Sequence, residues 1–218
     1  MITLVTPCLN AARWIEHCIR SVIEQTDCGP VEHIIIDGGS TDVTVDIIRR
    51  FERHLAWWRS DPDGGISHAI NMGLASARGE YFNWLCADDR LLPGALARLL
   101  RAGAENPDAL FFGGYLTLVD ESGRPIEGLA QRSPAMPPGR VLRKHALLRL
   151  RTQEQPGGLF RTDFLRAVGG ADERLKVTMD QDLLLKALLL GETLLLRDSF
   201  ISFCKRPDQA SARHTTGR

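Results

Sequence analysis

The chain has 218 residues, 44% of them hydrophobic and 25% charged, which suits a globular fold with a sizeable core and excludes a disordered or fibrous one. Lys plus Arg and Asp plus Glu balance at 27 each, so no overall field draws the protein to nucleic acid. Cys8, Cys18, Cys28, Cys86 and Cys204 form no C-x-x-C pair, which argues against a structural zinc site and suits free thiols in a reducing compartment.

The elements alternate from the start. Residues 2–6 (ITLVT) form a β-rich run that ends at Pro7, with no signal-peptide pattern ahead of it. Ile15, Cys18, Ile19, Val22 and Ile23 then share one helical face. Residues 31–36 (VEHIII) read as a buried strand closed by Asp37-Gly38-Gly39, and Val45, Ile48 and Phe51 mark a second helix. A short strand at 56–59, a helix at 67–77 and a strand at 80–86 follow. Pro93 stands where the next helix begins, with Leu96, Leu99 and Leu100 as its apolar stripe.

The second half is less regular. One or two strands are expected at 109–119, a turn at 121–123, a proline-rich loop at 133–139 and a basic helix at 140–151. A strand at 158–161, helices near 163–168 and 181–190, and strands at 193–203 precede a polar tail from Pro207. The leucine-rich stretch from Leu183 to Leu196 is broken by Lys186, Gly191 and Glu192 and cannot span a bilayer. The expectation is a single cytoplasmic domain over 1–218, with contact to the inner face of a membrane as the most it would make. The repeated β-α order implies a mostly parallel, Rossmann-like sheet with helices on both faces, a three-layer α/β/α sandwich.

Three polar clusters stand at predicted strand ends: Thr6-Pro7 through Asn10, Asp37 through Asp42, and Asp88-Asp89. Ligands of open α/β sheets bind beyond the carboxyl ends of strands, so parallel strands would bring these clusters to one edge. The phosphate-cradling patterns G-x-x-x-x-G-K-[ST] and G-x-G-x-x-G are absent, as are H-E-x-x-H and G-x-S-x-G. A carboxylate-rich edge repels a bare diphosphate unless a hard divalent cation, Mn or Mg, sits between them.

The runs VTPCLN, IIIDGGSTD, DPDGGISHAINMG and LCADDRLLP, in that order, resemble the family-2 inverting glycosyltransferases of GT-A fold. The later segment QPGGLFRTDFLRAVGGADERL with TMDQDLLLKALLLG is similar to that family's acceptor half. The resemblance implies a nucleotide-sugar-binding half over 1–90, an acceptor half over 91–205 and a tail over 206–218. It also implies roles. Thr6, Pro7 and Asn10 would line the nucleotide pocket, with Asp63 and Asn71 nearby, and Asp37 would accept hydrogen bonds from the base. Asp88 and Asp89 would hold the ribose and the divalent cation, and Asp180 would be the general base. The reaction the resemblance implies is transfer from a nucleoside-diphosphate sugar, with UDP-sugars as the expected donors, to a saccharide or lipid-linked acceptor.

Plainer readings stand beside several of these. Asp180 can cap the helix that follows, Asp182 suits its first turn, and Ser40, Thr41 and Asp42 suit another helix start. Asp61 and Asp63 lie in a turn-like SDPDGG segment. His68 departs from the aspartate common in the family, and Gln155 and His214 are weaker candidates. Most other histidines are expected at the surface. Trp57, Trp58 and Trp84 read as core, and Arg140 to Arg151 as a solvated helix that could also touch an anionic membrane. A non-catalytic sugar-nucleotide-binding module and a sugar-phosphate nucleotidyltransferase remain the alternatives.

Overall fold

The computed structural model describes residues 1–126, 140–142 and 157–206. Its strands are β1 (Ile2–Cys8), β2 (Val31–Asp37), β3 (Trp57–Ser60), β4 (Tyr81–Trp84), β5 (Arg90–Leu91), β6 (Ala109–Val119), β7 (Arg140–Leu142), β8 (Gly158–Arg161) and β9 (Glu192–Cys204). The helices are α1 (Ile15–Ile23), α2 (Thr44–Arg50), α3 (Ile66–Ser76), α4 (Ala95–Glu105), α5 (Thr162–Ala167) and α6 (Met179–Leu190).

All strands join one sheet in the order β3-β2-β1-β4-β8-β6-β9-β5, with β7 also on β9. Strands β1, β2, β3, β4, β6 and β9 run one way, and β5, β7 and β8 run the other. The expected mostly parallel sheet is therefore present, with its reversals, β5, β7 and β8, all after the first four strands.

Side-chain alternation builds two cores from one sheet. Val5, Ile34, Ile36, Phe82, Trp84, Phe111 and Phe160 face α3, α5 and α6. Ile2, Leu4, Tyr81, Phe112 and Leu159 face α1 and α4, while Ile35 meets Ile15, Ile19, Ile47 and Ile48 of α1 and α2. Three layers result. At Gly73 of α3 a Cβ would sit 2.2 Å from Val5 Cγ2, so only glycine lets this helix lie so close on β1.

Several expectations change. Residues 109–119 form a single strand, whose register against β9 shifts at bulges, and 193–203 likewise form part of one long strand. The expected helix at 140–151 is a strand over Arg140–Leu142, where Val141 and its neighbours pair antiparallel with Leu194; the backbone ladder on an open edge outweighs the helical leucine spacing. Residues 143–151 of that expected helix, the loop at 133–139, Gln155, and the tail with His214 lie outside the described residues. Helix α4 starts at Ala95, two residues after Pro93, because Gly94 takes a left-handed φ of 66° at the entry. His33 is not at the surface but buried on β2, with Nε2 2.9 Å from Thr6 Oγ1.

Candidate active site

The carboxyl ends of β1, β2 and β4 open onto a cavity of about 900 Å3, closed on the far side by the start of α6 and the end of β9. Pro7, Cys8 and Asn10 reach it from β1 and its following loop, Asp63 from the loop after β3, and Cys86, Asp88 and Asp89 from the turn after β4. Asp180 and Gln181 enter from the first turn of α6, and Lys205 and Arg206 from the end of β9. Parallel strands thus bring Pro7, Asn10, Asp63, Asp88, Asp89 and Asp180 together, though they lie far apart in the chain.

Three sequence-proposed residues sit behind the wall instead. Thr6 is fully buried and spends its hydroxyl on His33. Asp37 is also fully buried: its carboxylate accepts the Gly39 and Ser40 N–H groups at 3.2 and 2.8 Å, the Ser60 hydroxyl at 2.6 Å and the Ser40 hydroxyl. It therefore shapes the loop from Gly38 to Ser40. Asn71 pairs with Ala171 as a backbone would, donating to its carbonyl at 2.8 Å and accepting its N–H at 2.8 Å, and donates to Glu173 at 3.0 Å. Ser67 donates to the Leu175 carbonyl at 3.1 Å, and His68 meets Glu173 at 3.3 Å. Helix α3 thereby anchors the segment that leads into α6, and with it Asp180.

The rim near Asn10 is tied tightly. Its backbone takes a left-handed φ of 49°, its N–H donates to Ser40 Oγ at 2.7 Å, and its side-chain oxygen accepts the Thr41 N–H at 2.9 Å. Asp42 accepts the Thr44 N–H at 3.0 Å and the Ala12 N–H at 3.2 Å, which agrees with its reading as a helix-start residue. Asp63 accepts the Gly65 N–H at 2.7 Å and rests against Gly38, where a Cβ would come within 3.3 Å of its carboxylate.

Charge gathers at the turn after β4. Asp89 is 1% exposed, and its Oδ1 accepts the Cys204 N–H at 3.3 Å, which joins the turn to β9. Cys86 Sγ and the Asp88 and Asp89 carboxylates offer ligand atoms all within 4.8 Å of one another. Burial first, then the charges of Asp89 and Asp88 and more weakly that of Asp180, push the Cys86 thiol pKa well up. Arg206 answers part of this charge, with Nη2 2.9 Å from Asp88 Oδ2 and its guanidinium 4.3 Å from the Trp14 ring centre. The two carboxylates, spaced as ligands with the thiol of Cys86 beside them, fit a divalent ion there.

Asp180 differs from the other carboxylates. Its Oδ1 is buried with no hydrogen-bond partner among the described residues, and burial raises its pKa against weaker stabilisation from its own and the Gln181 N–H. Asp182, two residues on, is engaged by Lys186 at 2.7 Å, which suits the structural part expected of it.

The sequence reading passed over Cys86, Trp14, Lys176, Lys205 and Arg206, which all line the cavity. For Cys86 a signal existed, since it lies two residues before the aspartate pair. For Arg206 the only hint was its place just beyond a strand end. Trp84 is 3% exposed core, as expected, yet its edge also lines the cavity.

A family model described as glycosyl transferase family 2 matches residues 3–168. An uncharacterized glycosyltransferase of Mycobacterium tuberculosis is 30% identical over 201 residues, covering 90% of this chain and 72% of the relative. A PGL/p-HBAD biosynthesis glycosyltransferase of Mycobacterium bovis is 36% identical over 118 residues, 52% of this chain and 46% of that one. Among solved structures, S. aureus TarS 1-349 in complex with UDP-GlcNAc aligns with a TM-score of 0.80 at 21% identity, over 100% of this chain and 61% of that one. The mannosyltransferase PcManGT from Pyrobaculum calidifontis, in complex with GDP-Man and Mn2+, aligns with a TM-score of 0.68 at 18% identity, over 98% and 59%. These two likenesses are of fold, and this chain spans about three fifths of each structure. Among the described residues no helix is long and apolar enough to cross a membrane.

Proposed function

Since the chain belongs to glycosyl transferase family 2, we propose that it transfers a sugar from a nucleoside-diphosphate sugar, a UDP-sugar by preference, to an acceptor hydroxyl with inversion. The observation that carries this reading is Asp180 on the same cavity as Asp88 and Asp89, with its carboxylate Oδ1 buried and without a hydrogen-bond partner among the described residues.

The parts divide by chemistry. Pro7, Asn10, Asp63 and Asp88 border the nucleotide, and Thr6, Asp37 and Asn71 hold the walls that shape its pocket. Asp89, with Asp88, holds a divalent cation, Mn or Mg. When bound, such a cation supplies Lewis-acid neutralisation of the charge that collects on the departing diphosphate. Asp180 removes the proton of the acceptor hydroxyl as it attacks the anomeric carbon from the opposite side. One base and one leaving group give a single displacement, hence inversion; a retaining glycosidase instead needs two flanking carboxyl groups. The acceptor is a saccharide or a lipid-linked one, a reading supported by the glycolipid named for the M. bovis relative.

The test is a nucleotide-release assay with UDP-, GDP- and dTDP-sugars and Mn2+, together with calorimetric donor binding. Asp89→Asn should lose cation-dependent donor binding, while Asp180→Asn should bind donor normally yet release little nucleotide to acceptor. Full turnover in Asp180→Asn would remove that residue from the reaction.

A further inference from the structure

The cation site has a third donor that is not oxygen. Cys86 Sγ lies within 4.8 Å of a carboxylate oxygen of each aspartate, a spacing that lets all three reach one ion. It makes no hydrogen bond among the described residues; the sulfur-mediated contact at this turn is Cys18 Sγ donating to the Cys86 carbonyl at 3.7 Å. The other thiol on the cavity, Cys8, is turned to Asp37 at 3.5 Å and stands outside the cluster. The guanidinium of Arg206 on Asp88 gives an independent sign that this corner draws a cation.

We propose that Cys86 is a metal ligand, so that Cys86, Asp88 and Asp89 form a mixed sulfur and oxygen site that takes thiophilic divalent cations such as Zn2+, Cd2+ or Co2+ in preference to Mg2+. The inference rests on the reading that the aspartate pair holds a divalent ion. Two hard carboxylates alone would favour Mg2+ or Mn2+ and leave a soft ion without advantage; one thiolate shifts the balance toward metals that bind sulfur well. On coordination the thiol proton passes to the buffer, and the sulfur carries its charge to the metal. Three protein ligands leave open positions for diphosphate oxygens, so a thiophilic ion would occupy the same place as Mn2+ and exclude it. The site would then be sensitive to zinc and cadmium in a way that an all-oxygen site is not.

The experiment uses the purified chain titrated with Cd2+, read by sulfur-to-metal charge-transfer absorption, and separately with Mn2+, read by electron paramagnetic resonance. The wild type should show a saturable Cd2+ band that Mn2+ competes away. Cys86→Ser and Cys86→Ala should lose the band, and Cys8→Ser should keep it. Asp89→Asn, which leaves the thiol but removes an oxygen donor, should weaken the band. Cd2+ affinity should fall in Cys86→Ser by at least the roughly tenfold that even outer-shell partners of a metal carry, while Mn2+ binding persists. A wild-type band in Cys86→Ser overturns the proposal, as does Mn2+ binding with no Cd2+ band in the wild type; both leave the cation reading standing. If neither ion binds, that reading falls and the proposal falls with it.

Discussion

The guanidinium of Arg206 lies 2.9 Å from the carboxylate of Asp88, 118 residues earlier in the chain, with its central carbon over the Trp14 ring. Both side chains of the pair are 17% exposed, so solvent screens the contact only in part. Asp88 therefore serves a protein cation and a proposed metal at once. Arg206→Ala should raise Mn2+ affinity by roughly threefold to tenfold, the effect of about 1 kcal/mol of competing charge. It should also weaken UDP binding, because a diphosphate loses a nearby guanidinium. Mn2+ titration and UDP calorimetry on the same variant check both signs; equal Mn2+ affinity in the two proteins would mean that the pair and the metal do not share Asp88.

A general base acts only when ionised. Because burial lifts the Asp180 pKa above its ordinary 3.8, the carboxylate forms at higher pH than an exposed aspartate would. The rate should therefore rise with pH through that elevated value, and fall off on the acid side sooner than for a solvated carboxylate. Asp180→Asn should lower kcat by about 10²–10⁴-fold and abolish this acid limb. The pH–rate profile of both proteins is the measurement, and a limb that survives in Asp180→Asn would assign it to another group.

Burial pushes the pKa of His33 down from 6.5 to about 4, and its Nδ1 has no hydrogen-bond partner among the described residues. Between those two values the unfolded chain binds a proton that the folded chain refuses. This contribution leaves stability intact above pH 6.5 and erodes it as pH falls toward 4, by up to about 3 kcal/mol. Urea denaturation across that range should show the slope, and His33→Gln should flatten it while costing some stability near neutrality.

The contact of Gly73 with Val5 predicts a packing cost. Gly73→Ala gains up to ~1 kcal/mol of helix propensity, yet its Cβ would meet Val5 Cγ2 at 2.2 Å. Overpacking of about 1–3 kcal/mol should outweigh the gain, so the variant should be less stable in urea. Val5→Ala should relieve part of the clash, so the double variant should be more stable than the sum of the two single changes implies.

Much of the first half was legible because its signals are local. The alternation of VEHIII with helical stripes foretold β2 and its flanking helices, and strand-end clusters foretold where Pro7, Asn10, Asp88 and Asp89 would converge. Periodicity and turn chemistry depend on neighbours a few residues away, and the sequence carries those directly. Where a side chain finds its partner depends on the folded path instead. Only the tertiary structure turned Asp37 inward to brace a loop, used Asn71 to clasp Ala171, and buried Asp180 Oδ1 with no hydrogen-bond partner among the described residues. It alone made a strand of residues 140–142 on the β9 edge and laid Arg206 upon Asp88. The Asn71–Ala171, Arg206–Asp88 and β7–β9 contacts are pairings between segments distant in the chain, set by which polar groups are left to satisfy one another once the sheet has closed.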